Sequence, residues 1–240
     1  MSASRADPDC WRVRVAPWAQ SFAPDPPTLL RLLKSPDRIL RDDARSRVLL
    51  LDALPAEGAP PGPWVAKQPV WRDGRWWNQL VSRVAPGEME RAFAAGLRLL
   101  ELGLATPRPV LVMERRRLGA LVESWLLYAF AAGRPVEERD WPLVIQALQR
   151  LHAAGLRHGD PHLANWLVGP AGEIVALDPG PRPLRRWLAD DAYDFVLLGN
   201  CRPAILPLVP GREGCGWRVA RFRNAWVQGW RRFKKNVRGV

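Results

Sequence analysis

His158-Gly159-Asp160-Pro161-His162-Leu163-Ala164-Asn165-Trp166-Leu167-Val168, then a Gly-containing turn, then Ile174-Val175-Ala176-Leu177-Asp178-Pro179-Gly180, is the stretch on which the reading of this 240-residue chain turns. Two short apolar runs, 166–168 and 174–177, flank the turn and read as a hairpin. Asn165 follows Asp160 by five residues in the loop ahead of the hairpin, and Asp178 ends its second strand, so the hairpin brings three oxygen-bearing side chains to one edge. Such a set has the chemistry of phosphoryl transfer from ATP. A carboxylate orients the attacking hydroxyl and accepts its proton, and oxygen ligands hold Mg²⁺ on the phosphates. Asp160 is the candidate for the first role, Asn165 and Asp178 for the second. Alone, each would read as a cap or turn former; together they form H-x-D-x-x-x-x-N, a hairpin, and D-x-G. His158 reads as a brace for the loop, His162 as a hydrogen-bonded loop residue, and His152 as a satisfied polar residue of the preceding helix at a lobe surface.

Working upstream, the first half of the chain is strand-rich. Arg38-Ile39-Leu40, a polar turn 41–46 and Arg47-Val48-Leu49-Leu50-Leu51 read as a hairpin, and after a Pro/Gly-rich loop at 55–63 comes a strand, Trp64-Val65-Ala66-Lys67-Gln68. Met89, Phe93, Leu97 and Leu100 recur at helical steps over 87–102, with Gly103 as a stop. Two further strands follow, 110–114 and 121–127, and the second half opens with a helix ending in 144–152 that Gly155 closes. Lys67 in Val-Ala-Lys matches a strand lysine that contacts nucleotide phosphates, and as a plain structural residue it would guard a strand edge. Glu90 shares the inward face of Phe93 and Leu97 and is the candidate to steady Lys67; Glu88, nearer the helix start, is second choice as a dipole complement. Residues 1–33, rich in Pro and Trp without a period, read as an extension wrapped on the body.

Composition narrows the setting. A formal charge of +12 suits nucleic acid, an anionic membrane or a phosphorylated ligand. Residues 212–240 hold a net +8 of it, around Val219, Phe222, Trp226, Trp230 and Phe233 at helical spacing. That stripe reads first as the core-facing seam of a final helix with solvated charges; an amphipathic helix on anionic lipid is the other reading. No nucleic-acid-binding motif is present. Three cysteines without paired spacing point to neither disulfides nor zinc, and with no apolar leader or long apolar run a cytoplasmic location is expected, with the protein peripheral on the inner-membrane face if the helix binds lipid.

At Gly159-Asp160-Pro161-His162 with Asn165, at Leu177-Asp178-Pro179-Gly180, and at Asp190-Asp191-Ala192-Tyr193-Asp194-Phe195, the chain resembles the lipopolysaccharide kinase family, most closely the core heptose(II) kinase type. The resemblance extends weakly through Lys67, Glu114-Arg115-Arg116 and Tyr128-Ala129-Phe130-Ala131-Ala132-Gly133, about 34–200 in all. It implies an α+β, protein-kinase-like two-lobed fold: an antiparallel-sheet N-lobe with one helix over 34–127 and a mainly helical C-lobe over 128–240, with ATP and Mg²⁺ in the cleft. The implied activity is phosphorylation of an inner-core heptose, making the lipopolysaccharide core acceptor the partner. Departures from the kinase pattern are the absence of a glycine-rich phosphate loop, whose place holds Asp42 and Asp43, Pro179 in place of the D-F-G aromatic, and Gly159 in place of the catalytic-loop arginine, which predicts no phosphorylation switch. Two other readings share the motif: a small-molecule kinase of the aminoglycoside or choline type, and a non-catalytic pseudokinase scaffold.

Overall fold

Strand β4 (Trp64–Pro69) shows why the first half of the chain forms a sheet covered on both faces, since Trp64 and Ala66 are buried on one side while Val65 and Lys67 stand on the other. The structure, a computed structural model, describes residues 11–44, 46–70, 82–83, 85–178 and 182–237, the last four of them by backbone alone. It divides into two units, residues 1–131 and 132–240.

In the first unit, β1 (Trp11–Val15), β2 (Arg38–Asp42), β3 (Ser46–Leu51), β4, β5 (Pro109–Arg117) and β6 (Ala120–Ala129) make one antiparallel sheet in the order β1-β5-β6-β4-β3-β2. Leu118 and Gly119, both at positive φ, form the tight turn between β5 and β6. One sheet face carries Leu49, Leu51, Trp64, Ala66, Leu111, Met113 and Leu127. Trp18 and Phe22 pack on Trp64 there, and α1 (Pro26–Lys34) adds Leu29 and Leu33 to the same core. Part of the segment read as an extension is therefore an edge strand and a core helix of this unit. Helix α2 (Glu88–Glu101) covers the other face through Met89, Phe93 and Leu99.

The second unit is mainly helical. Helix α3 (Trp141–Ala153) follows a capping turn in which Arg134 grips Asp140 at 2.6 and 2.8 Å. Those Arg134 hydrogen bonds, with the Glu137 backbone N–H, hold the Asp140 carboxyl at about 2. Strands β7 (Arg134–Pro135), β9 (Trp166–Val168) and β10 (Ile174–Ala176) form a small sheet, and β8 (Leu156–Arg157) pairs with β11 (Arg182–Pro183). Gly133 permits the close passage of β7, because a Cβ there would meet the Val168 carbonyl oxygen at 2.7 Å. Helix α4 (Asp190–Cys201) buries Tyr193, Phe195, Val196 and Leu198, and α5 (Cys215–Val237) packs on it through Trp217 and Ala220. The aromatic stripe of α5 is not the packed face. Its inward line runs through Trp217, Ala220 and Asn224, and Phe222, Trp226, Trp230 and Phe233 lie nearly half a turn away on average, in solvent.

Candidate active site

The loop that carries Asp160 is held from below by one buried carboxylate. The backbone N–H groups of His158 and Gly159 donate to Asp194 Oδ2 and Oδ1 at 2.7 and 3.0 Å, and His152 Nε2 lies 3.1 Å from the same Oδ2. Asp194 is fully buried, so His152 is an interior contact of this anchor, although the sequence placed it at a surface. Gly159 then adopts φ +86°, a region that side-chain-bearing residues rarely enter, which turns the chain sharply before Asp160. His158 is buried against Trp166, its Nδ1 accepting the Asp160 N–H at 3.4 Å. Burial pushes the His158 pKa below the usual imidazole range, against the opposing pull of Asp194, Asp160 and Asp178. That neutral histidine braces the loop, as its position in the sequence suggested.

The remaining donors are tied to Asp160 through backbone. Asn165 Nδ2 donates to the Asp160 carbonyl at 2.9 Å, and the Leu177 N–H donates to the Asn165 carbonyl at 2.8 Å, extending the β9–β10 hairpin by one rung. Asp178 follows directly at φ +49°, a left-handed conformation that costs a non-glycine residue about 1 kcal/mol and that recurs at functional loops. Pro179 and Gly180 lie outside the described residues. His162 Nδ1 accepts the Ala164 N–H at 3.2 Å and so serves the loop's own turn. The metal question can be put to this donor set. Among the described residues no group of three or more His, Cys, Asp or Glu could hold an ion. An amide oxygen and a carboxylate are nevertheless what Mg²⁺ takes from a protein when phosphates and water complete its shell, and the bond from Asn165 Nδ2 leaves Oδ1 as that side chain's oxygen donor. The residues fit.

A second buried acid, Asp190, was not singled out by the sequence. Its carboxylate takes Arg223 Nη1 at 2.6 Å, Arg185 Nε and backbone N–H at 3.0 Å each, and Arg157 Nη1 at 3.3 Å. Burial alone would raise its pKa, but the Arg223 and Arg185 hydrogen bonds and the Arg157 charge outweigh it and hold the group at about 2. Arg157 immediately precedes His158, so Asp190 and Asp194 grip consecutive parts of one segment, 157–159. Their i,i+4 spacing, which puts both on one helix face, was the available signal.

In the first unit, Lys67 occupies one cross-strand row with Leu126, Val112 and Arg14, and with Val48 on its other side. The carboxylate read as the partner of Lys67, Glu90, makes its ion pair with Arg14 at 3.1 Å, three strands from Lys67 in that row, while Glu88 is exposed at the helix start. Glu114 is buried, with Oε2 on Arg116 at 2.8 Å and Oε1 beside Gly87 at the start of α2. At the turn that holds Asp42 and Asp43 in place of a glycine-rich loop, Asp43 pairs with Arg41 and Asp42 with Arg47, so both carboxylates are compensated locally.

No family model matches the chain, and no curated protein matches it in sequence. Among solved structures it is similar to WaaP in complex with acyl carrier protein, with a TM-score of 0.52 at 15% identity over 94% of this chain and 98% of that one. The chain has a protein-kinase-like fold. The bifunctional kinase-methyltransferase WbdD is also similar, with a TM-score of 0.39 at 15% identity over 57% of this chain and 32% of that one. In kinase-like terms, β1 to β6 with α2 make the sheet unit, and the Asp160 loop, the β9–β10 hairpin and Asp178 belong to the helical unit.

Proposed function

We propose that this protein is an ATP- and Mg²⁺-dependent phosphotransferase acting on an alcohol, and that the acceptor is a sugar hydroxyl of the lipopolysaccharide core, most simply a heptose. The observation that carries the reading is the single fixed unit made by Asp194, the His158-Gly159 turn, Asp160, Asn165 and the rung to Leu177. Asp160 accepts the proton of the attacking hydroxyl as the hydroxyl oxygen bonds to the γ-phosphorus of ATP and the bond from that phosphorus to the bridging oxygen breaks, ADP leaving. Asn165 and Asp178 are the ligands Mg²⁺ would take, and the ion would neutralise charge on the transferring phosphoryl group. Lys67 supplies positive charge for the nucleotide phosphates. The sugar acceptor is favoured by the motif resemblance around Gly159-Asp160-Pro161-His162 and Asp190–Phe195, and the shared fold supports the wider phosphotransferase reading.

The test is ADP release by the full chain with Mg-ATP and purified core oligosaccharide, alongside aminoglycosides and choline. Asp160→Asn should lower turnover at least about a thousandfold while the melting temperature stays within a few degrees, as expected for removal of a catalytic base on an intact scaffold. Turnover of a soluble amino alcohol and not of the oligosaccharide would move the acceptor to the small-molecule class. Full activity in Asp160→Asn would remove Asp160 from the catalytic role, and no Mg-ATP binding by calorimetry would end the enzymatic reading in favour of a scaffold.

A further inference from the structure

Helix α5 carries a surface that the phosphotransferase reading does not use. Its inward line packs on α4 and on the Asp190 cluster, through Ala220 and Arg223. A different line is open: Val219 is 47% exposed, Phe222 74%, Trp226 70%, Trp230 52% and Phe233 56%. These five residues form a continuous stripe over about four turns of helix. Trp230 and Phe233 stack on each other at 5.6 Å, and residues 229–233 are exposed on every side of the helix. Exposed Arg218 borders the stripe, about 80° from its centre, Arg232 lies about 120° away on the same side, and Arg221 and Arg231 lie farther round, while no acidic residue follows Glu213.

We infer that α5 docks in the headgroup layer of an anionic lipid bilayer, the aromatic stripe inserted and the arginines on lipid phosphates. Charge complementarity selects this occupant. A second copy of the chain would bring two segments of net +8 face to face, and a neutral apolar groove would leave the flanking arginines uncompensated. Trp and Phe at the boundary with Arg beside them is the composition of an in-plane amphipathic helix. Among the described residues no helix is long and apolar enough to cross a membrane, so the contact is with one face of the bilayer.

The inference is independent of the phosphotransferase reading, and its test reads binding alone. The full chain is sedimented with phosphatidylcholine vesicles with and without phosphatidylglycerol. Association is expected with the anionic vesicles only, weakening as salt is raised. Trp226→Glu with Trp230→Glu should weaken it at least about tenfold, and Arg218→Glu with Arg232→Glu comparably, while circular dichroism stays unchanged because all four side chains are exposed. Equal partition into both vesicle types would overturn the proposal, as would undiminished binding by the double glutamate variants. Absence of vesicle binding together with a dimer that Trp226→Glu and Trp230→Glu dissociate would overturn it in favour of a second copy as occupant.

Discussion

Asp194 makes three contacts from a site with no access to water: two backbone N–H groups of the Asp160 loop and the His152 ring. Removing it strands those donors in the interior, where each unsatisfied group costs about 1–3 kcal/mol. Asp194→Ala should therefore destabilise the chain by about 3 kcal/mol in urea denaturation, and activity should fall with the loosened loop even though Asp194 touches no reacting atom. This residue was visible only as part of the acidic-aromatic stretch 190–195; its partners lie about 35 residues upstream, a distance that no local pattern encodes. Asp160, Asn165 and Asp178 were legible because their spacing falls within one loop and one hairpin. Glu90 was harder to read. Helical periodicity places it on a half-inward face, but its ion pair with Arg14 depends on β1 joining the sheet beside β5, and the alternation Trp11-Arg12-Val13-Arg14-Val15 marks a strand without saying which neighbour it pairs with.

At the level of elements, the strands and helices that periodicity marks were readable to within a few residues, from the 38–51 hairpin through β4, α2, β5 and β6 to the β9–β10 hairpin. Helix α1 was missed beneath Pro26 and Pro27, yet its start signal is ordinary: Asp25 Oδ1 accepts the Thr28 N–H at 2.7 Å, and proline stands in the first turn, where no N–H is needed. The α5 stripe was misread for a different reason. Periodicity reports that a helix has an apolar face, and says nothing of what covers it. The β9–β10 hairpin depends on the passage of β7 beside it. Gly133→Ala should cost about 1–3 kcal/mol, as overpacking against a backbone carbonyl does, and chemical denaturation of the variant will check it. A change below 0.5 kcal/mol would mean that the β7 backbone shifts freely.

For the molecule as a whole, His158, Asp140 and Asp190 are the buried groups among the described residues whose lowered pKa values bear on the acid response. His158 has a lowered pKa, so the folded state resists its protonation; its contribution is complete above about 6.5 and declines as the pH falls below that value. Asp140 and Asp190, both held at about 2, contribute fully above the ordinary carboxylate range near 4, and that contribution disappears as the pH falls through 2. For the fully buried Asp190 the effect is on the order of 2 kcal/mol. The melting temperature should thus be level with respect to these groups above pH 7, slope gently downward from 6.5, and drop steeply below 4; a profile still rising toward pH 4 would contradict the assignment. The exposed end of α5 has a practical corollary. Trypsin cuts after arginine and lysine, and the helix offers Arg231 and Arg232 as exposed side chains, with no described element packed over them. Brief digestion should clip the chain there first, yielding a trimmed protein that leaves a cation exchanger earlier than its parent.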